Sequence, residues 1–327
     1  MKIAIVLGTR PEILKNYSIV QALRNADVEH EILWTSQHSD RSMHEDFFEF
    51  LGYKPNHILD NYTIGRAIDW TTAILKERNI TGVLVNGDTS AAVVGALSAM
   101  YLDMPLAHVE AGLRSYDAFM YEERNRLMVD AIASFLFTYT KRESDYLESR
   151  PEYRGSIYQV GNTSVDLIRD FESKLVLPNQ KPFAYVTLHR KEFTERPSRM
   201  RSVFDALAQL GRQIRVVFPV HPRTFDSMSR AGLSQGAWPT IDFVEPLGPF
   251  ESLACIKHAC LVLTDSGCIQ EEAAILETPC VTIRENTERH QTVDEGINVL
   301  SGFDCKEILA CAEKQLIFCR PSFCLSF

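Results

Sequence analysis

The sequence has no apolar stretch long enough to span a membrane. Its longest mostly apolar segment, TSAAVVGALSAMYLDMPLA, contains Asp103 and Pro105, whereas a spanning helix needs about 20 predominantly apolar residues. The apolar start MKIAIVLGTR is interrupted at Gly8, which is too early for the apolar region of a secretory signal. We therefore expect a cytoplasmic protein that has no membrane partner.

Two common signatures of bound metals and cofactors are also missing. All eight cysteines lie between Cys255 and Cys324, and no two of them have the C-x-x-C spacing of zinc and redox sites. The dinucleotide fingerprint G-x-G-x-x-G does not occur. We expect free thiols in a reducing compartment, no metal and no cofactor.

Positive charge is scarce as well. The chain has 34 Lys and Arg against 43 Asp and Glu, which gives a formal net charge of −9. Without a local basic patch, this balance disfavours nucleic acids and anionic membranes as partners.

The apolar runs that are present are short and alternate with amphipathic stretches. KIAIVLG, HEILWTS, GVLVNGD, PLAHVEA, SFLFTYT and SIYQVGN occur in the first half, and FAYVTLHR, IRVVFPVHP, IDFVEPLG, CLVLTDSG and PCVTIRE in the second. This alternation predicts two doubly wound α/β domains with parallel sheets. The linker-like segment ESKLVLPNQKPF places their boundary near residue 176, so that the domains span residues 1–176 and 177–327.

Residues that directly follow the strands of such sheets line the ligand site. In this chain they carry many charged and polar groups: Arg10, His38, Asp88 and Glu110 in the first half, and His189, Arg190, His221, Asp265, Ser266 and Arg284 in the second. We expect the two sets to face each other across a cleft.

The first half holds a group of carboxylates suited to acid–base chemistry. VNGDTSAA contains Asp88, and HVEAGLRSYDAFMYEERNR contains Glu110, Glu122 and Glu123; mutual repulsion and burial raise the pKa of some carboxylates in such groups. For Asp88 alone, a helix N-cap is an equally good interpretation.

Basic residues and one helix start point to an anion. In GTRPEILK, Arg10 and Lys15 can both reach an anion, although solvated charges on a capped helix are the alternative for Lys15. In the second half, TDSGCIQEEA predicts a strand, a turn and a helix whose N–H groups can bind phosphate. Residues that can join this phosphate and ribose site are His189, His221, Ser266, Glu272, Arg284 and Arg289.

Together, GTRPEILK, GDTSA, HVEAGLRS, EERNR, VGNTSVD, VTLHR, PVHPRT, EPLG, TDSGCIQEEA and RENTERH resemble the motifs of the non-hydrolysing UDP-N-acetylglucosamine 2-epimerases. The resemblance implies a GT-B fold, in which two Rossmann-like domains enclose the active site between them. It implies reversible interconversion of UDP-N-acetylglucosamine and UDP-N-acetylmannosamine by elimination and re-addition of UDP, with no metal and no nicotinamide.

The resemblance also implies roles for individual residues. The family's catalytic carboxylates match Asp88, Glu110 and Glu122, and its active-site histidine matches His221. Its substrate-binding positions match Arg10, Lys15, Ser266, Gly267, Glu272 and Arg289, to which we add His189.

Two departures from the family bear on activity. Ser252 stands where many members place an aromatic residue for the uracil ring, which leaves Phe250 as the substitute. The chain ends in IFCRPSFCLSF, where members usually continue into a further helix. We expect both differences to affect turnover.

Three other functions fit the same motifs. They are a hydrolysing UDP-N-acetylglucosamine 2-epimerase, a GT-B glycosyltransferase and a UDP-sugar-binding protein without turnover. In each case the expected partner is a UDP-sugar and not a nucleic acid, and we expect a homodimer.

Overall fold

The computed structural model describes residues 1–37, 42–177 and 181–317, with the backbone alone for residues 42–46. Two compact units result, Met1–Arg169 and Asp170–Phe327. His38, residues 178–180 of the expected linker and the C-terminal residues from 318 onward lie outside the described part. The boundary expected near residue 176 stays a prediction.

The first unit is built on a seven-stranded, fully parallel sheet in the order β3-β2-β1-β4-β5-β6-β7. The strands are β1 (Lys2–Leu7), β2 (Glu29–Trp34), β3 (His57–Ile58), β4 (Gly82–Asn86), β5 (Leu106–Val109), β6 (Phe135–Thr138) and β7 (Ser156–Gln159). The helices are α1 (Arg10–Lys15), α2 (Tyr17–Asn25), α3 (Ser42–Leu51), α4 (Ile64–Glu77), α5 (Ser90–Tyr101), α6 (Tyr121–Ile132), α7 (Lys141–Glu148) and α8 (Ser164–Phe171). The last two residues of α8 belong to the second unit.

The second unit repeats this plan with a six-stranded parallel sheet in the order β10-β9-β8-β11-β12-β13. The strands are β8 (Phe183–Thr187), β9 (Arg215–Pro219), β10 (Ile241–Val244), β11 (Leu261–Thr264), β12 (Cys280–Thr282) and β13 (Asn298–Leu300). The helices are α9 (Lys191–Thr194), α10 (Pro197–Leu210), α11 (Pro222–Arg230), α12 (Pro249–His258), α13 (Gly267–Ile275), α14 (His290–Asp294) and α15 (Cys305–Leu316).

The central strands read as continuous apolar runs because helices cover both faces of each sheet. Ala4, Ile5, Val6 and Leu7 of β1 are all fully buried. The two doubly wound α/β folds expected from the alternating pattern are confirmed. Each sheet places the ends of its strands, and the loops that follow them, at one edge.

An ionic cluster stabilises the first sheet. Glu31 of β2 is buried and accepts from Lys2 Nζ at 2.5 Å, His57 Nε2 at 2.6 Å and Arg78 Nε at 3.2 Å. Burial alone raises the pKa of Glu31, but the hydrogen bonds from these three residues outweigh it and lower the pKa to about 2.

We expect Glu31→Gln to lower the thermal midpoint of unfolding by several degrees near pH 7. A charge-assisted hydrogen bond contributes about 1.5–3 kcal/mol, and about 1 kcal/mol shifts the midpoint of a domain of this size by roughly 2–4 °C. Ionised Glu31 stabilises the fold above its ordinary pKa of 4.5, and this contribution is lost as the pH falls toward 2. In calorimetry the gap between variant and wild type should therefore narrow below pH 4.5.

The control for this variant is Glu29→Gln, an exposed glutamate on the same strand, which should match wild type throughout. A gap that stays constant between pH 7 and pH 3 would show that lost packing, and not lost charge, destabilises the Glu31 variant.

Within residues 1–37, 42–177 and 181–317, no helix has both the length and the apolar character needed to cross a bilayer. The same described ranges contain no group of three or more His, Cys, Asp or Glu side chains arranged to hold a metal ion.

Candidate functional site

Glu110, directly after β5, forms a buried ion pair with Lys15 at the end of α1. Lys15 Nζ lies 2.6 Å from Glu110 Oε2, and the two side chains are only 9% and 2% exposed. The backbone φ of Glu110 is 72°, a left-handed conformation that costs a non-glycine residue about 1–3 kcal/mol and is concentrated at functional sites. The solvated interpretation of Lys15 is therefore wrong, and Glu110 has the strained, buried setting typical of a reactive group.

Asp88 lies in the turn between β4 and α5, next to a second buried cation. Arg126 Nη2 of α6 donates to Asp88 Oδ2, and Arg126 Nη1 donates to Glu123 Oε2 at 3.0 Å. Asn125 Nδ2 donates to the Asp88 carbonyl oxygen at 2.8 Å. The N-cap of α5 is Thr89, so the helix-cap interpretation of Asp88 is wrong and its carboxylate is oriented by Arg126.

The two adjacent glutamates of α6 have different environments. Glu123 is buried and accepts from the Ser115 backbone N–H at 2.8 Å and from the Ser115 hydroxyl at 3.0 Å. Glu122 is half-buried in the first turn of α6 and forms no hydrogen bond or ion pair with another described residue. Glu123 therefore holds the loop before α6, whereas Glu122 is the carboxylate of the pair that a ligand can engage.

Glu12 is a buried carboxylate of this unit that the sequence reasoning missed. Its Oε2 accepts from the Gly8 N–H at 3.0 Å, the Thr9 N–H at 2.7 Å and the Thr9 hydroxyl at 2.8 Å, and its Oε1 accepts from the Thr89 hydroxyl at 2.7 Å. Burial raises the pKa of Glu12 to about 7. The T-x-x-E capping-box spacing in GTRPE was the available signal, and Glu12 links the loop after β1 to the loop after β4.

Arg10 begins α1, and its guanidinium carbon lies 5.9 Å from the centre of the Phe47 ring. A cation at this distance from an aromatic face is attracted to it. Arg10, Asp88 and Glu110 all follow parallel strands of the first sheet. Arg10 is thus at the same edge of that sheet as the two carboxylates.

In the second unit, Asp265 organises the loop after β8. Its buried carboxylate accepts from the backbone N–H of His189 at 2.9 Å and of Arg190 at 2.8 Å. The His189 ring stacks on the His221 ring with 5.2 Å between centres. Burial lowers the pKa of His189, so this ring is neutral near pH 7. His221 is exposed, and its Nδ1 accepts from the Arg223 N–H at 3.2 Å.

The start of α13 packs closely against Glu288. Ser266 is the N-cap, but its side chain makes no capping hydrogen bond. A Cβ atom at Gly267 would lie 2.5 Å from Glu288 Oε1, which is shorter than any tolerable contact. A side chain at this position would therefore displace the Glu288 carboxylate, which is paired with Arg284, a constraint that the TDSG motif did not reveal.

Two buried ion pairs surround this turn. Arg289 Nε lies 3.0 Å from Glu271 Oε1, and Arg284 Nη1 lies 3.0 Å from Glu288 Oε2. Glu272, the neighbour of Glu271 on α13, is half-buried. The sequence reasoning missed Glu271 and Glu288, since nothing in QEEA or NTERH distinguishes a buried glutamate from a solvated one.

The segment expected to contact a base has its aromatic residue engaged within the second unit. The rings of Phe250 and Phe171 are 5.1 Å apart and tilted by 50°. Ser252 Oγ lies 2.8 Å from the Tyr185 hydroxyl oxygen. A base that stacks on Phe250 must therefore use the ring face that Phe171 does not cover.

Curated proteins similar to this chain are described as 2-epimerases of UDP-sugars. A family model for UDP-N-acetylglucosamine 2-epimerase matches residues 21–318. A UDP-N-acetylglucosamine 2-epimerase from Methanococcus maripaludis is 37% identical over 339 residues, which cover 96% of this chain and 92% of the relative. A UDP-2,3-diacetamido-2,3-dideoxy-D-glucuronate 2-epimerase from Pseudomonas aeruginosa is 37% identical over 318 residues, which cover 92% of this chain and 88% of the relative.

Solved structures agree in fold. The UDP-GlcNAc 2-epimerase of Methanocaldococcus jannaschii, crystallised with UDP-GlcNAc and UDP, superposes with a TM-score of 0.86 at 35% identity and covers 97% of this chain and 93% of that one. MurG from Acinetobacter baumannii, at 11% identity and a TM-score of 0.54, shares the fold alone, covering 96% of this chain and 90% of its own. The expected GT-B class is confirmed.

Proposed function

The chain belongs to the UDP-N-acetylglucosamine 2-epimerase family, and from that membership we propose that it interconverts UDP-N-acetylglucosamine and UDP-N-acetylmannosamine without releasing free sugar. The observation that carries this proposal is the buried Lys15–Glu110 pair, which places a strained carboxylate at the end of a strand. A simple binding protein has no need of such a group, because maintaining strain and buried charge costs stability.

The proposed chemistry is an elimination followed by an addition. One carboxylate takes the C2 proton, the bond between C1 and the UDP oxygen breaks, and a C1=C2 double bond forms. The UDP oxygen then returns to C1 while a proton is delivered to the opposite face of C2. Negative charge develops on the departing UDP, so basic groups and helix N–H donors stabilise that step.

The residues divide between these tasks. We assign the proton transfers and the stabilisation of positive character at C1 to the catalytic group, which consists of Asp88, Glu110, Glu122 and His221. We assign substrate binding to Arg10, Lys15, His189, Ser266, Gly267, Glu272 and Arg289. The resemblance to the family supports these assignments, and so does the position of Asp88, Glu110 and Ser266 in the loops that follow parallel strands.

Isotope exchange tests the function directly. In deuterated water the protein should convert UDP-N-acetylglucosamine to UDP-N-acetylmannosamine with deuterium at C2 and the bond to UDP intact. Proton NMR follows the loss of the C2 signal and the appearance of the new sugar spin system. The same assay with a 2,3-diacetamido-glucuronate donor tests the substrate of the Pseudomonas aeruginosa relative.

Each rival function predicts a different spectrum. A hydrolysing epimerase accumulates free sugar and UDP, and a glycosyltransferase leaves the donor unchanged until an acceptor is added. A binding protein broadens the ligand signals and forms no product. Unchanged donor at saturating concentration, with both sugars tried, would refute the epimerase proposal.

We propose in addition that the protein works in the cytoplasm as a homodimer, an assignment that rests on the family resemblance.

A further inference from the structure

A second ionic cluster, distinct from the groups assigned above, lies fully buried in the first unit. His108 on β5 and Asp130 on α6 both have no exposed surface. His108 Nδ1 lies 2.6 Å from Asp130 Oδ1, and Arg114 Nη2 donates to Asp130 Oδ2 at 2.6 Å. The Gly112 N–H donates to the same oxygen at 3.1 Å. Unpaired charges this deep are costly, so every member depends on the others.

The hydrogen bonds of His108 fix the orientation of its ring. Its Nε2 lies 2.9 Å from the Gly87 carbonyl oxygen, which can only accept, so Nε2 carries a proton. Its Nδ1 faces Asp130, whose pKa is lowered because His108 and Arg114 outweigh the effect of burial. The ring is thus hydrogen-bonded at both nitrogens, to the Gly87 carbonyl on one side and to Asp130 on the other.

The cluster joins the two loops that carry Asp88 and Glu110. Gly87 has a φ of +75°, its N–H donates to the Val109 carbonyl at 2.9 Å, and its own carbonyl accepts from His108. A Cβ atom on Gly87 would lie 3.2 Å from Glu110 Oε2. The peptide held by His108 therefore precedes Asp88 directly and packs beside Glu110.

The other end of the cluster holds the loop after Glu110. Gly112 has a φ of +82°, and both its N–H and the Arg114 guanidinium bind Asp130. The backbone around Glu110 is consequently held on two sides, by the hydrogen-bonded Gly87 peptide and by the hydrogen-bonded Gly112 peptide. These contacts stabilise the left-handed conformation of Glu110.

We propose that His108 and Asp130 are positioning residues for the epimerase reaction, and that the His108 ring, hydrogen-bonded to Asp130 and to the Gly87 carbonyl, fixes that carbonyl and thereby the relative placement of the Asp88 and Glu110 carboxylates. This inference rests on the proposed function, because it assigns a purpose to the geometry of those two carboxylates. A displacement of about 1 Å at a reacting group can cost roughly 10²-fold in rate, so the expected effect is large although neither residue contacts substrate.

Two substitutions separate the two hydrogen bonds of the ring. The Nε2 of glutamine reaches the position of His108 Nε2, so His108→Gln keeps a donor to the Gly87 carbonyl and loses the donor to Asp130. His108→Asn does the reverse. We expect His108→Asn to lower kcat by about 10²-fold with little change in UDP affinity, and His108→Gln to remain within about tenfold of wild type.

A purely structural role predicts a different result for the two variants. His108→Gln removes one hydrogen bond from Asp130, so a structural role makes it the less stable of the two. The two variants would then have equal kcat values per folded molecule. Folded fractions come from near-ultraviolet circular dichroism, and His30→Asn, a partly exposed histidine of β2, controls for the substitution itself. Equal kcat values for the two His108 variants would overturn the proposal.

A measurement on the wild-type protein keeps the inference testable if the variants do not fold. Nitrogen-15 NMR of the His108 ring should show a proton on Nε2, hydrogen-bonded to the Gly87 carbonyl, and a ring whose Nε2 carries no proton would overturn the proposal. This signal does not depend on turnover. If wild type shows the Nε2 proton but forms no product from either UDP-sugar, the proposed function fails while the hydrogen bond from His108 to the Gly87 carbonyl stands.

Discussion

Asp88→Asn and Glu110→Gln are each expected to lower kcat by about 10²–10⁴-fold, the usual contribution of a positioned acid or base. The amides keep the size and shape of the acids but can neither accept nor deliver a proton. Affinity for UDP should change little, because the residues expected to hold the phosphates and the ribose, such as Ser266, Glu272 and Arg289, lie in the second unit.

Rates of product formation by NMR and UDP affinity by calorimetry test this expectation. Glu77→Gln, an exposed glutamate at the end of α4, is the matched control and should be indistinguishable from wild type.

Glu110→Gln has a structural side effect that needs its own control. It leaves the buried Lys15 ammonium without its carboxylate, and breaking a buried pair costs about 3–5 kcal/mol. The double variant Lys15→Met/Glu110→Gln removes both charges and should recover stability but not turnover. Recovery of turnover in the double variant, or near wild-type rates in both single variants, would mean that these carboxylates only hold the fold.

Arg289→Ala is expected to weaken UDP binding by about 1.5–3 kcal/mol, the contribution of a hydrogen bond to a charged group, which is roughly a 10- to 150-fold rise in Kd. Glu271, the ion-pair partner of Arg289, adds a second reason to expect weaker UDP binding. With Arg289 removed, the buried Glu271 carboxylate has lost a cation and repels the phosphates of an incoming ligand.

Calorimetric titration of UDP into the folded variant gives the affinity. Arg212→Ala, an exposed arginine after α10, controls for the loss of one positive charge. Arg289→Ala/Glu271→Gln removes the repulsive carboxylate and should recover part of the lost affinity. If the single variant folds and binds UDP as tightly as wild type, Arg289 serves Glu271 alone and the assignment to the phosphate site is wrong.

Most strands could be predicted from the sequence, because parallel strands that are covered by helices must be apolar along their whole length. Eleven apolar runs in the sequence correspond to strands from β1 to β12. Two strands were not predicted, β3 (His57–Ile58) and β13 (Asn298–Leu300). Both are edge strands, of two and three residues. Edge strands this short carry no apolar pattern of their own, and their pairing depends on the strand beside them.

The candidate site could be predicted from the sequence only in part. The rule that ligand groups follow parallel strands selected Asp88, Glu110 and Ser266 as candidates from their positions alone. It gave no means of distinguishing Glu122 from Glu123, or Glu271 from Glu272, because adjacent helical residues differ in which side they present to the core.

The sequence by itself determined the fold class, the family and the strand ends at which chemistry-bearing residues stand, since each of these follows from local apolar pattern and short motifs. Only the tertiary structure decided which charged side chains are buried and which partner each of them has. The pairs are Lys15 with Glu110, Arg126 with Asp88, His108 with Asp130, and Arg289 with Glu271. The physical reason is that the free energy of a charge depends on its distance to an opposite charge and on its access to water. All four pairs join residues at least 18 positions apart in the chain, and no local pattern contains that information.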